Sequence, residues 1–161
     1  MLKETSLPNP YPESLTAAVL AVFRAHGRLI EWGDRFAAPF GLTSARWQML
    51  GALAISGAPA SAPTIARQMG VTRQGASKQL ALLEQEGLVC KQANPAHKRS
   101  PLFALTEAGI GRYQALERAW TEHAQSVCAQ IPAAALETTL NTLHALSDLH
   151  HASEEESAHA D

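Results

Sequence analysis

Apolar residues recur every three or four positions along most of this chain, and the breaks in that rhythm mark off its helices. Leu15, Val19, Val22, Phe23, His26, Ile30 and Gly33 share one face of a first long helix. It is predicted to start at Ser14, whose hydroxyl can cap it, and to stop at Pro39 and Gly41. Pro8, Pro10 and Pro12 make the preceding dozen residues an extended arm. Thr43 or Ser44 caps a second helix with Trp47, Leu50, Leu53 and Ala54 as its buried stripe, and "SGAPASAP" is the loop that ends it. A short third helix begins at about Pro63, since proline suits a first turn. Gly70 then supplies the positive φ of a tight turn, and Thr72 can cap the next helix. "TIARQMGVTRQGASKQLALLEQEG" therefore reads as helix, short turn, helix, with Ala66 small enough to let the two approach and Gly87 at the C-terminal cap.

Past Gly87 the rhythm changes. "LVCKQA" and "PLFAL" are short β-prone runs joined by the turn-rich "NPAHKRS", a hairpin with a basic tip. Thr106 opens a long helix to about Ile131, with Ile110, Tyr113, Leu116, Trp120, Ala124, Val127 and Ile131 in its stripe. At 1.5 Å per residue it would be about 40 Å long, more than so small a module needs for its own core. Pro132 breaks it, and a final helix carries Leu136, Leu140, Leu143 and Leu146. Long apolar-striped helices at both ends suggest a subunit interface. The tail "HHASEEESAHAD" has the composition of a disordered segment, assigned to residues 152–161.

At 161 residues the chain is read as one domain, 1–161, able to bury a core without disulfides or a metal. No apolar run approaches the roughly 20 residues of a membrane span. "MLKETSLPNPYPESL" has no apolar stretch behind a basic start, so a cytoplasmic protein with no membrane partner is expected. The net charge of -2 conceals a sorting. From Ser44 to Ser100 seven basic residues (Arg46, Arg67, Arg73, Lys78, Lys91, Lys98, Arg99) stand against two acids, Glu84 and Glu86; from Gly111 onward two basic residues stand against eight acids. A basic middle and an acidic end fit a nucleic-acid surface set apart from a solvating or dimerising part.

The helix after Thr72 carries the sharpest chemistry. At 100° per residue Arg73, Ser77, Ala81, Gln74 and Lys78 cover an arc of about 140°, while Ala76, Leu80 and Leu83 fall on the far side. The presented arc holds the side chains that read base edges in a major groove: Arg for guanine, Gln for adenine, Ser for either, Lys for guanine or phosphate. A helix N-terminus at Thr72 offers backbone N–H groups to a phosphate. His97, Lys98 and Arg99 at the hairpin tip suit the adjacent minor groove or its phosphates.

"GLTSARWQML", "TIARQMGVTRQGASKQLALLEQEGLV" and "NPAHKRSPLFALTEAG" resemble, in that order and spacing, the winged helix-turn-helix regulators of the multiple antibiotic resistance regulator (MarR) family. The fold expected is mainly α with a small β-hairpin wing: a winged helix-turn-helix lobe over 40–109, flanked by long dimerisation helices over 14–38 and 106–151. The resemblance implies a homodimer on a pseudo-palindromic operator in double-stranded DNA, usually a repressor, often released by a small, frequently aromatic, effector. It places Thr72, Arg73, Gln74, Ser77 and Lys78 on the recognition helix, Ser61 and Thr64 at backbone contacts, and His97, Lys98 and Arg99 in the wing. One departure is plain. The family's wing commonly has an Asp followed by two Arg after a proline, and here that run is "HKR", so His97 stands where an aspartate would orient an arginine.

No Gly-rich phosphate loop, nucleophile elbow or His-Glu-x-x-His helix is present, so no enzyme and no cofactor is expected. His144, Asp148 and His151 have zinc-ligand spacing, but solvent-facing side chains near the chain end are the simpler reading, and no metal site is assigned. Family members that sense oxidants use a thiol near the start of the first helix, where this chain has no Cys; Cys90 and Cys128 are read as buried reduced thiols. For an aromatic effector, His26, Trp32, Trp47 and Tyr113 could line a pocket, with Arg46 as partner to a carboxylate. The alternative to a DNA-binding regulator is a winged-helix protein-interaction module without a specific DNA site.

Overall fold

The computed structural model describes Tyr11 to Ala158, with side chains as far as Leu149. Six helices and three short strands come in the order α1 (Tyr11–Ala37), a 3₁₀ turn (Ala38–Phe40), α2 (Ser44–Ser56), β1 (Ala60–Ser61), α3 (Ala62–Met69), α4 (Arg73–Gln85), β2 (Val89–Gln92), β3 (Leu102–Leu105), α5 (Glu107–Cys128) and α6 (Ala133–Ala158). The chain forms two compact units, up to Leu116 and from Glu117 onward, and α5 runs through both. Burial stops at Leu116: from Glu117 to Leu149 no side chain is buried.

In the first unit α2, α3 and α4 enclose one core. Met49 and Leu50 of α2, Ile65 of α3, Leu80 and Leu83 of α4 and Leu116 of α5 are the largest fully buried side chains, joined by Val89 and Phe103 from the sheet. Caps set the helix boundaries. Thr43 accepts a hydrogen bond from the Arg46 amide at the start of α2, Ser61 from the Thr64 amide at α3, and Thr72 from the Gly75 amide at α4. Gly70 sits at φ 63°, which lets the Val71 amide return to the Ala66 carbonyl (3.0 Å) and turns α3 into α4.

Four expectations are corrected. α1 begins at Tyr11, so Ser14 lies inside its first turn and Pro12 belongs to the helix, where its missing N–H costs nothing; the rest of the expected extended arm, residues 1–10, lies outside the described residues. The wing is not a hairpin alone: β1 pairs antiparallel with the other edge of β3, Ala60 opposite Phe103 and Ser61 opposite Leu102, giving the order β1-β3-β2. Two residues inside "SGAPASAP" carry no strand pattern, and the open edge of β3 recruits them. α5 ends at Cys128 rather than Ile131, before a turn closed by the Ile131 amide on the Cys128 carbonyl. α6 continues in backbone to Ala158, through most of the segment assigned to disorder; residues 159–161 lie outside the described residues.

α1 meets α2 at Gly33. An added Cβ there would stand 2.9 Å from Ser44 Oγ, and beside it the Ser44 amide donates to Asp34 Oδ1 (2.7 Å), a carboxylate at a helix N-terminus. α5 meets the start of the wing more tightly still, at Gly109, where a Cβ would stand 2.0 Å from the Leu88 carbonyl oxygen.

Gly109→Ala is therefore expected to destabilise the protein by about 2–4 kcal/mol, because backbone must move away from backbone. Gly111→Ala, where nothing lies within 4 Å, should stabilise by about 0.5–1 kcal/mol through helix propensity. Urea unfolding of the pair checks both, and equal effects would refute the steric account.

Candidate nucleic-acid interface

α4 is two-faced as its sequence predicts. Ala76, Leu80 and Leu83 are buried, while Arg73, Gln74, Ser77 and Lys78 are exposed and Ala81 is half-buried. The cap at Thr72 uses its hydroxyl on the Gly75 amide (3.0 Å), and the Ala76 amide bonds the Thr72 carbonyl (2.9 Å). At α3 the hydroxyls of Ser61 and Thr64 share a hydrogen bond (2.9 Å), so these two candidates engage each other as well as the helix start. His97, Lys98 and Arg99 are exposed at the loop between β2 and β3.

Electrostatics separates the basic residues of this lobe into two groups. Arg46 of α2 pairs with Glu86, and Lys91 of β2 pairs with Glu84 (2.5 Å) while its ammonium lies 5.8 Å from the Phe103 ring centroid. Both acids sit at the C-terminal end of α4, where the helix dipole disfavours negative charge. Each is held by a cation from a different neighbouring element, so they tie α4 to α2 and to the wing. The other five cations, Arg67, Arg73, Lys78, Lys98 and Arg99, are exposed on α3, α4 and the wing tip, none in an ion pair among the described residues. The surplus of five read from the sequence is carried by these residues.

The candidate effector residues are brought together in part. Trp32 stacks on Phe36 (4.8 Å between centroids, 20° between planes), and Phe36 meets Trp47 at 5.5 Å, which makes an aromatic ladder from α1 to α2. Phe36 is absent from the residues expected at a pocket; its spacing of four from Trp32 on α1 is the signal that could have found it. Tyr113 packs against the core, its ring over Gly51. His26 lies exposed, whereas the ladder's rings are half-buried. Arg46 does not stand open to a carboxylate, because Glu86 already occupies it and Thr43 Oγ1 lies 3.5 Å from its Nε. A groove of about 410 Å³ lies elsewhere, lined by Pro39, Phe40, Gly41, Gly111, Arg112 and Ala115, with the Arg112 guanidinium donating to the Phe40 carbonyl.

Cys90 is half-buried and Cys128 is exposed, which corrects the reading of two buried thiols; Cys128 closes α5 in the stretch that buries nothing. His144 and Asp148 are exposed, the His151 side chain is outside the described residues, and no metal-binding cluster occurs among the described residues. Nor is any described helix long and apolar enough to cross a membrane.

A lobe of three helices, α2 to α4, the last of them capped and two-faced, with a three-stranded wing defines a winged helix-turn-helix protein. Residues 40–100 match the model of the MarR family. An uncharacterized protein of Mycobacterium tuberculosis is 38% identical over 132 residues, covering 81% of this chain and 90% of its own. The chain belongs to the MarR family of transcription regulators, which are not enzymes. Among solved structures it is similar to the MarR family transcription regulator SP03579, with a TM-score of 0.73, 21% identity, and coverage of 91% of this chain and 96% of that one. It is also similar to CouR from Rhodococcus jostii RHA1: bound to p-coumaroyl-CoA, the TM-score is 0.69 at 20% identity, covering 78% and 88% of the two chains. For CouR as a transcriptional repressor bound to a 23-mer DNA duplex, the TM-score is 0.67 at 25% identity, covering 79% and 89%.

The Arg46 side chain is only 18% exposed, so its pair with Glu86 should outweigh the exposed Glu31–Arg35 pair on α1. Glu86→Gln is expected to cost about 1 kcal/mol in denaturant unfolding, net of the relieved helix dipole, and Glu31→Gln less than about 0.5 kcal/mol. The reverse order would show that Glu86 is not holding α4.

Proposed function

We propose that the protein is a homodimeric, ligand-responsive repressor that binds a pseudo-palindromic operator. The observation that carries this reading is the separation of the lobe's cations: two are neutralised where they brace α4, and five stay unpaired on α3, α4 and the wing tip. A purely structural lobe has no reason to leave like charges uncompensated on three successive elements, whereas phosphate neutralisation uses them. In this reading Arg73, Gln74, Ser77 and Lys78 meet base edges in the major groove. Ser61, Thr64 and Thr72 contact the backbone, and His97, Lys98 and Arg99 reach the adjacent minor groove.

Exposed apolar side chains support the dimer. Leu15, Val22, Phe23 and Leu29 on α1, and Leu136, Leu140 and Leu143 on α6, are 37–68% exposed in the single chain. Apolar stripes of that length are normally covered by a partner, and a second copy supplies matching ones. The ladder Trp32–Phe36–Trp47, near the core-packed Tyr113, supports an aromatic effector, and the similar protein CouR has been solved bound to p-coumaroyl-CoA. A carboxylate effector would have to displace Glu86 from Arg46, which would loosen the C-terminal end of α4.

Selection of bound duplexes from a random pool at about physiological salt, beside a Lys78→Ala, Arg99→Ala double variant, tests the function. The wild type is expected to enrich a palindrome with half-sites about one helical turn apart, and the variant to weaken it. That duplex then reports release by aromatic acids. Enrichment of nothing by a confirmed dimer would favour a protein-interaction module instead.

A further inference from the structure

The three wing residues assigned to DNA do not hold the loop that presents them. Asn94 does. Its Nδ2 donates to the Ser100 carbonyl (2.7 Å), and its Oδ1 accepts from the Ala96 amide (3.1 Å) and the His97 amide (3.3 Å). One amide side chain thus bonds both legs of the loop, with the donor on one side and the acceptor on the other. The backbone adds two bonds, His97 amide to Asn94 carbonyl (3.3 Å) and Ser100 amide to His97 carbonyl (2.9 Å). Asn94 is itself half-buried, whereas Pro95, Ala96, His97, Lys98 and Arg99 are all exposed and bury nothing that could fix them. Packing does not set the shape of this loop; the Asn94 side chain and these two backbone bonds do.

We propose that Asn94 is the positioning residue of the wing: it presets the tip so that Lys98 and Arg99 meet DNA without the loop first having to order. The proposal rests on the reading that the wing tip touches DNA. Preorganisation of this kind raises affinity by removing an ordering cost, and adds no contact of its own.

Two readouts separate the clamp from the contact. The first is amide hydrogen exchange at Ala96 and His97 in the free protein; the second is anisotropy on a mixed-sequence duplex at low salt, where phosphate contacts dominate. Asn94→Ala is expected to speed exchange at both amides, to weaken DNA binding about fivefold, and to leave Tm unchanged. Asn94→Asp keeps the two acceptor bonds but sets a carboxylate oxygen against the Ser100 carbonyl, so it too should speed exchange, and its added negative charge should weaken DNA binding at least as far as Asn94→Ala. In a Lys98→Ala, Arg99→Ala background, itself weakened, Asn94→Ala should add little, because both groups it positions are gone. Unchanged exchange in Asn94→Ala overturns the clamp. Independent, multiplying losses in the triple variant overturn the positioning role. Faster exchange in Asn94→Ala, with wild-type affinity both there and in the Lys98→Ala, Arg99→Ala variant, removes the wing from the interface, and the proposal with it, for a reason distinct from failure of the clamp.

Discussion

Thr106 is the joint on which the lobe is assembled. Its hydroxyl donates to the Gly87 carbonyl (2.7 Å) and accepts from the Gly109 amide (3.1 Å), and its own amide donates to the Leu88 carbonyl (3.1 Å). One residue therefore terminates the wing, caps α5, and fixes both to the chain leaving α4. Gly109 makes the joint possible, since any side chain there would strike Leu88. α4, the wing and α5 cannot move independently near this point. A change in the course of α5 would be transmitted to α4 through three hydrogen bonds and one backbone contact.

The charge pattern serves the same rigidity. Glu84 and Glu86 lie at the end of α4 where the dipole works against them, at a cost of a few tenths to about 1 kcal/mol each. Their pairs with Lys91 and Arg46 offset that cost and brace the helix from two sides. The opposite end of α4 is left to Thr72 and to the exposed Arg73, Gln74, Ser77 and Lys78. One end of the helix is thus committed to the fold, and the other is offered outward.

How much of the fold is legible in the sequence depends on how local each signal is. Thr72, Gly70 and the triplet Ala76, Leu80, Leu83 are read from a dozen consecutive residues, and the structure reproduces their cap, turn and buried face. β1 is illegible, because Ala60 and Ser61 become a strand only by pairing with residues some forty positions later. The start of α1 is misplaced by its prolines, which signal a break in a helix interior but not in a first turn. Arg46 reads as open to a ligand because Glu86, its partner, is forty residues away along the chain. The role of Asn94 is visible only as an Asn-Pro turn signal; which carbonyl and which amides it bonds depends on the return of the other leg at Ser100.

The same distinction explains why the two units differ. Up to Leu116 the stripes of α2, α3 and α4 close on one another and on the sheet, and burial there is deep. Beyond Leu116 the periodicity is just as regular, with Trp120, Leu136, Leu140 and Leu143 at helical spacing, yet none of these side chains is buried. Periodicity records that a face is to be covered, not by which molecule. The stripes are regular in both units, but in the first the covering residues belong to the same chain. In the second the stripe is left exposed, which is why the dimer proposal rests on α1 and α6 and not on the lobe that carries the cations.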